Sequence, residues 1–316
     1  MSQNNTIVTE MDMSVIIPAF NEEENIQRTA GTIHDILAAH LIRHELIFID
    51  DGSKDGTWEQ IKRAAEQNGF VKGVRFARNF GKEAAIYAGL EAAKGDCAVV
   101  IDCDLQMPPE KIPEMYDLYK EGFEIVEGVK SGRGKESLIY KGSAKIFYAF
   151  MTKETGCDMR GSSDFKLLGR RAVDAILSFP ERDLFFRAMT FWTGYRTVSV
   201  SYDVNERVMG NSKWNICSLT RYAVRNITSF TTAPLQLVTF MGFLCFLFSI
   251  LITVYSLLQY FTGKAVEGYT TLIIVILFIG SMIMISLGII GYYLGRIYDE
   301  IKHRPKYVCE SLVNIG

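Results

Sequence analysis

The chain has 316 residues, 48% of them hydrophobic, and a formal net charge of −2 from 34 basic and 36 acidic residues. That length holds one sizeable globular domain plus something smaller, and a charge so close to zero leaves no electrostatic footprint for nucleic acid. The six cysteines (Cys97, Cys103, Cys157, Cys217, Cys245 and Cys309) include no Cys-x-x-Cys pair, which argues against a disulfide framework or structural zinc and for reduced thiols.

Residues 1–12 are polar and carry no signal-peptide pattern. From Ser14 onward short apolar runs alternate with amphipathic stretches, the pattern of β-α units around a mainly parallel sheet. A strand over 14–18 leads to a helix over 22–40, with Asn21 as its cap and Glu22, Glu23 and Glu24 in its first turn. A strand over 45–49, an acidic turn over 50–56 and a helix from Thr57 come next. The third strand, 71–76, runs through Asn79-Phe80-Gly81-Lys82 into a helix over 83–93, and the fourth, 97–101, delivers Asp102-Cys103-Asp104. A shorter strand over 124–128 precedes a basic, Gly-rich loop over 130–135 and a helix over 137–151. Asp164-Phe-Lys-Leu-Leu then leads to a helix over 170–177, an ordered loop is expected over 207–214, and 219–230 reads as an amphipathic helix suited to a membrane surface.

Charge then disappears over 235–260 and again over 270–294. Each segment exceeds the roughly 20 residues needed to cross a bilayer core of ~30 Å, so two spans are expected, with a pair of buried core helices as the rival reading. Arg221 and Arg225 precede the first span, and Arg296, Lys302, His303, Arg304 and Lys306 follow the second, whereas the link over 261–269 holds one Lys and one Glu. Positive flanks lie on the cytoplasmic side, which puts both ends of the hairpin there. The organisation expected is a tail over 1–12, a catalytic domain over 13–211, an interfacial region over 212–234, two spans within 235–295 and a cytosolic tail over 296–316.

Asp102 and Asp104 stand at i and i+2 beyond an apolar strand, so extended geometry would aim both carboxylates the same way. Open α/β sheets bind ligands beyond such strand ends, and two oxygen donors with open positions suit Mg2+ or Mn2+ shared with a substrate diphosphate. A solvated strand-to-loop turn is the plainer alternative. Phe20 could cover a ring face and Asp51 could accept from a base or ribose, although 50–56 also reads as an ordinary turn and helix cap. Lys130, Arg133, Lys135, Lys141, Arg207 and Lys213 form a basic set fit for phosphate; the 130–135 run also reads as a solvated loop.

Five segments in order, Val15-Ile-Ile-Pro-Ala-Phe-Asn-Glu22, Asp50-Asp51-Gly-Ser-Lys-Asp-Gly-Thr57, Asp102-Cys-Asp-Leu-Gln-Met-Pro-Pro-Glu110, Arg207-Val-Met-Gly-Asn-Ser-Lys-Trp214 and Gly291-Tyr-Tyr-Leu-Gly-Arg-Ile-Tyr-Asp-Glu300, resemble glycosyltransferase family 2, of GT-A fold. The resemblance is to its polyprenyl-phosphate branch, the bactoprenol glucosyltransferases and dolichol-phosphate mannose synthases. It implies that Pro18, Phe20, Glu22, Asp51, Asp102 and Cys103 meet the donor nucleotide, that Asp102, Asp104 and Gln106 surround the metal, and that Lys130, Arg133, Lys141, Arg207, Ser212 and Lys213 handle phosphate. Asp104, Asp164, Arg207 and Lys213 carry the catalytic expectation, Asp164 through a sugar hydroxyl or the attacking phosphate, with a helix-cap role before Arg170 as its alternative. Cys103 stands where alanine is common, and Met107 where many members have Asp or His, which removes a ligand role there.

The expected activity is inverting transfer of one hexose, glucose first, from a UDP-sugar to undecaprenyl phosphate at the bacterial cytoplasmic membrane. Such an acceptor is already anionic near neutral pH and needs placement more than a general base. A GDP-mannose-using enzyme is the nearest rival; a processive synthase would carry Gln-x-x-Arg-Trp, which is absent. A non-catalytic scaffold or flippase subunit would have no need of the acidic and basic set. The resemblance implies a tetramer, and Gly280, Ser281, Gly288, Gly291 and Gly295 would permit close helix packing.

Overall fold

A computed structural model of the chain describes residues 11–131, 162–181, 185–203, 233–262 and 268–315. The chain divides into two units, Met1–Trp214 with Pro305–Gly316, and Asn215–Arg304. The first is built on an eight-stranded sheet of order β7-β5-β6-β4-β1-β2-β3-β8.

The central strands β1 (Met13–Ala19), β2 (His44–Asp50), β3 (Val71–Phe76) and β4 (Cys97–Val100) are parallel. Their near-continuous apolar sequences follow from burial on both faces. Val15, Ile17, Leu46 and Phe48 point into one layer with α1 (Ile26–Ala39), α2 (Thr57–Gln67) and α4 (Ile112–Lys120). Ile16, Ile47 and Ile49 point into the other, with α3 (Lys82–Ala92), α5 (Arg170–Leu177) and α6 (Phe186–Trp192). The flanks are mixed: β6 (Ser162–Gly169) is antiparallel to both β4 and β5 (Ile125–Lys130), β7 (Thr197–Tyr202) is parallel to β5, and β8 (Cys309–Val313) is antiparallel to β3.

Strand order reverses beside β1, since β2 and β3 build outward on one side and β4 lies on the other. The crevice beyond the carboxyl ends of β1 and β4 is therefore the switch point where such sheets take ligands. Because β5 and β7 run in the same sense as β4, Lys130 and Tyr202 end on this edge, and antiparallel β6 begins on it.

Several expectations are corrected. The first helix begins at Ile26, not Glu22, because Asn21 adopts φ +54° and residues 21–23 are spent on tertiary bonds. The Asn21 amide donates to Ser53 Oγ (2.9 Å), that of Glu22 to Thr57 Oγ1 (2.9 Å), and Glu23 Oε2 accepts from the Gly56 amide (2.7 Å). Asp164 lies within β6 and Gly169 caps α5, which removes the helix-cap alternative. Within the stretch expected as a cytosolic C-terminal tail, β8 completes the sheet as a strand that was not expected, and Asn314 Nδ2 donates to the carbonyls of Ala65 (2.9 Å) and Val71 (3.0 Å). The expected helices over 137–151 and 219–230 and the loop over 207–214 lie outside the described residues.

The second unit contains α7 (Ala233–Phe261) and α8 (Tyr269–Ile301). Among the described residues one helix, over Phe278–Ile301, is long and apolar enough to cross a membrane, and Val238–Ile252 is a shorter apolar stretch. Large apolar side chains such as Phe243, Phe246, Leu251, Leu258, Met284, Leu287 and Leu294 are exposed, a surface suited to lipid rather than water.

Gly52 links β2 to the crevice at φ +67°, and a Cβ there would stand 2.5 Å from the Arg78 carbonyl carbon and 2.7 Å from the Asn79 nitrogen. Gly52→Ala combines left-handed strain with a backbone clash, and should cost about 2–4 kcal/mol. A melting temperature unchanged from the parent in the same detergent would contradict this.

Candidate functional site

The site is assembled from strand ends. Beyond β1 stand Phe20, 37% exposed, and Glu22, whose Oε2 accepts from Asn25 Nδ2 (2.6 Å). Pro18 sits half-buried in β1, paired in register with Ile49. Beyond β2, Asp50 and Asp51 are both buried. Asp51 Oδ1 accepts from the Phe80 amide (2.6 Å) and Oδ2 from the Gly81 amide (2.9 Å), so this carboxylate clamps the loop that opens α3. Burial, outweighing those two amides, pushes its pKa up to about 6. Asp50 is raised for the same reason, against the bond from the Ser53 amide to its Oδ1 (2.8 Å).

Beyond β4 the chain turns instead of continuing extended. The Leu105 amide reaches the Asp102 carbonyl (3.4 Å) and Leu105 takes φ +55°, so the expected extended presentation of Asp102 and Asp104 is replaced by a turn. The two carboxylates are still left half-buried around an inward Cys103. The Cys103 side chain is 3% exposed in the core, its thiol pushed well up by burial, and its carbonyl accepts from Thr29 Oγ1 of α1 (2.7 Å). Any contact it makes with a ligand is left to its backbone. The Gln106 amide donates to Asp104 Oδ1 (3.2 Å), and Met107 is packed in the core.

Two cations complete this edge. Val100 pairs with Lys166, and continuing that antiparallel register sets Asp102 opposite Asp164. Lys82 Nζ lies 2.6 Å from Asp102 Oδ1 and 2.8 Å from Asp164 Oδ2, and Arg187 Nε donates to Asp164 Oδ1 (2.7 Å). Burial disfavours the charge on Lys82, but Asp102 and then Asp164 outweigh it and hold the ammonium protonated. Burial likewise raises Asp164, and Lys82 and Arg187 reverse this, leaving it ionised far below the usual carboxylate range. Glu83 accepts from the Phe186 amide (2.8 Å) and is pushed up to about 7 by burial and by the negative charge of Asp164.

Sequence reasoning missed Lys82, Glu83 and Arg187 as site residues. Lys82 did leave a signal: a cation at the first position of a helix opposes the dipole and calls for acidic neighbours. Arg187 left none, because α6 was not expected. Of the basic set, Lys130 is exposed at the end of β5. Arg133, Lys135, Lys141, Arg207, Ser212 and Lys213 lie outside the described residues, whose nearest neighbours along the chain, Ser131, Ser162 and Asp203, stand at this same edge.

Two hard carboxylate donors, with the Cys103 thiol between them buried, fit Mg2+ or Mn2+ better than a softer ion. No group of three His, Cys, Asp or Glu that could hold a metal occurs among the described residues, so a cation at Asp102 and Asp104 would take further ligands from substrate or water.

Fold and site together define an α/β, GT-A-like protein with a crevice of acidic and basic side chains at its switch point. The family model for glycosyl transferase family 2 matches residues 14–177. The chain is 38% identical over 303 residues to a bactoprenol glucosyl transferase of Shigella phage SfV, covering 95% of this chain and 99% of that protein. It is also 38% identical to an uncharacterized glycosyltransferase of Synechocystis sp., over 96% of each chain. Among solved structures, M. tuberculosis glucosyl-3-phosphoglycerate synthase shares the fold at a TM-score of 0.50 and 21% identity, covering 69% of this chain and 79% of that one. The chain belongs to glycosyl transferase family 2 and is a glycosyltransferase.

Glu83 gives a pH test. Its folded pKa, about 7, lies above the ordinary 4.5, so its contribution to stability is full below about pH 4.5 and is lost as pH rises through 7. Glu83→Gln keeps an acceptor for the Phe186 amide without the charge. The melting temperature of Glu83→Gln should match the parent at pH 5 and exceed it by a few degrees at pH 8.5; an equal difference at both pH values would refute the assignment.

Proposed function

We propose that the protein transfers one hexose, glucose, with inversion from a UDP-sugar to polyprenyl phosphate at the cytoplasmic face of a membrane. The observation that carries this reading is the half-buried Asp102 and Asp104 pair at the switch point. It sits on a chain whose likeness to a bactoprenol glucosyl transferase spans 95% of its length, beyond the 14–177 matched by the family model.

Asp102 and Asp104, beside Gln106, would hold Mg2+ or Mn2+, whose charge when bound stabilises the departing diphosphate. Phe20 covers the base, and Pro18, Glu22 and the Asp51 loop line the nucleotide side. With its carboxylate already committed to Lys82 and Arg187, Asp164 is too weak a base to draw a proton. It serves instead to orient these two cations toward the reacting phosphates and sugar. A phosphate monoester acceptor attacks as the anion it already is, so none of these residues has to remove a proton. Lys130, Arg133, Lys141, Arg207, Ser212 and Lys213 would supply the remaining phosphate contacts.

The proposal includes two spans, with the catalytic domain and both termini cytosolic. It is supported by chain connectivity: the chain leaves the sheet-bearing unit after Trp214 and rejoins it at Pro305, so membrane crossings between them are even in number. At 1.5 Å per residue, the 29 residues of α7 reach roughly 43 Å, enough for a bilayer core. Assembly as a homo-oligomer, a tetramer, would use the glycines of α8.

Purified protein with undecaprenyl phosphate, Mg2+ or Mn2+, and labelled UDP-glucose should carry label into the organic phase. UDP-galactose, UDP-N-acetylglucosamine and GDP-mannose are tested in parallel. Asp104→Asn should lose at least about 100-fold in transfer while still inserting in membranes. Label entering from GDP-mannose alone would reassign the donor, and transfer undiminished in Asp104→Asn would remove the metal seat.

A further inference from the structure

Lys82 occupies an awkward place. It opens α3, where the helix dipole disfavours a cation, yet its ammonium contacts Asp102 and Asp164 at 2.6 and 2.8 Å with the side chain 40% exposed. Asp164, its side chain 10% exposed, is held by Arg187 as well, at 2.7 Å, whereas the side chain of Asp102 is 30% exposed. The ammonium is therefore shared between a carboxylate fixed on the protein side and one that belongs to the ligand side.

We infer that Lys82 is the resident counter-ion of the donor metal seat, holding the place of a divalent cation at Asp102 until metal and nucleotide diphosphate arrive together. The inference rests on the reading of Asp102 and Asp104 as that seat. A bare divalent ion approaching Asp102 meets the ammonium as a like charge and must displace it. A metal arriving with a diphosphate brings compensating negative charge, which Lys82 can face while keeping its hold on Asp164. Metal and nucleotide are thus coupled, and the coupling is reciprocal: whatever factor the nucleotide adds to metal affinity, the metal adds to nucleotide affinity. In this arrangement Lys82 is a positioning residue that discourages metal without donor.

The test uses the full chain in detergent. Binding of Mn2+ alone is followed by the electron paramagnetic resonance of the free ion, and binding of labelled UDP, with GDP in parallel, by equilibrium dialysis with and without Mn2+. The parent should bind bare Mn2+ weakly and bind nucleotide at least about tenfold more tightly when Mn2+ is present. Lys82→Met should bind bare Mn2+ about tenfold more tightly than the parent, with the gain in nucleotide affinity from Mn2+ reduced several-fold. Lys82→Arg, which keeps the charge, should behave as the parent, and Lys82→Gln is a second neutral variant should Lys82→Met not melt cooperatively. Bare Mn2+ binding in the neutral variants no tighter than in the parent overturns the role of Lys82 and leaves the seat standing. If the parent binds no Mn2+ even with nucleotide, or Asp102→Asn binds it as well as the parent does, the seat itself fails, and this inference with it.

Discussion

The ion pairs that Lys82 makes with Asp102 and Asp164 join three elements of the fold at one edge of the sheet. Asp102 follows the parallel strand β4, Asp164 lies in the antiparallel strand β6, and Lys82 begins the helix that packs behind β1 and β2. Without a cation, two carboxylates on neighbouring strands would face each other at a partly buried position, where water screens them poorly. Arg187 extends the same compensation into α6, and the bond from the Phe186 amide to Glu83 returns it to α3. The crevice is one electrostatic unit, so a change at any member is felt by the elements that carry the others.

The rim beyond β1, β2 and β3 is organised by a different means, chiefly buried carboxylates and backbone amides. Asp51 gathers the Phe80 and Gly81 amides, Asp50 takes the Ser53 amide, and Asn21 both donates to Ser53 Oγ and accepts from the Lys54 amide. These bonds tie the loops after β1, β2 and β3 into one rim. Burial raises both Asp50 and Asp51, against these amides and, at Asp50, against Arg75, whose Nε lies 3.5 Å from Oδ2. The rim and the ion-pair network meet at the Phe80-Gly81-Lys82 step, where the loop held by Asp51 hands over to the helix that carries the ammonium.

The central strands were legible because burial on both faces writes continuous apolar runs, and the Asp-Cys-Asp segment was legible because those runs end abruptly in acids. The start of α1 was misread: Glu22 to Glu24 look like favourable first-turn residues, and only tertiary structure reveals that Glu22 and Glu23 are tied to the turn after β2. β8 was hidden for a related reason. Its five residues follow a long apolar helix, and their partner β3 lies more than 200 residues earlier in the chain. Lys82 was readable in principle from its conflict with the helix dipole, whereas the pairing of Arg187 with Asp164 depends on a short helix with no strong periodicity of its own.

The chain that follows α8 is tied back into the sheet by bonds to several of its elements. After α8, Lys306 Nζ donates to the Phe179 carbonyl (3.0 Å), Tyr307 stacks on Phe76 (4.7 Å) and donates to Glu91 Oε2 (2.6 Å), and the Val308 carbonyl accepts from the Ala77 amide (3.0 Å). Because β8 is antiparallel to β3, its first residue lies at the carboxyl edge, beside the strand that leads to Asn79 and Lys82. The outgoing chain departs after β7, a strand parallel to β5, and so from that edge as well. The described strand ends Tyr202 and Cys309 therefore lie on the same edge of the sheet as Asp102 and Asp164.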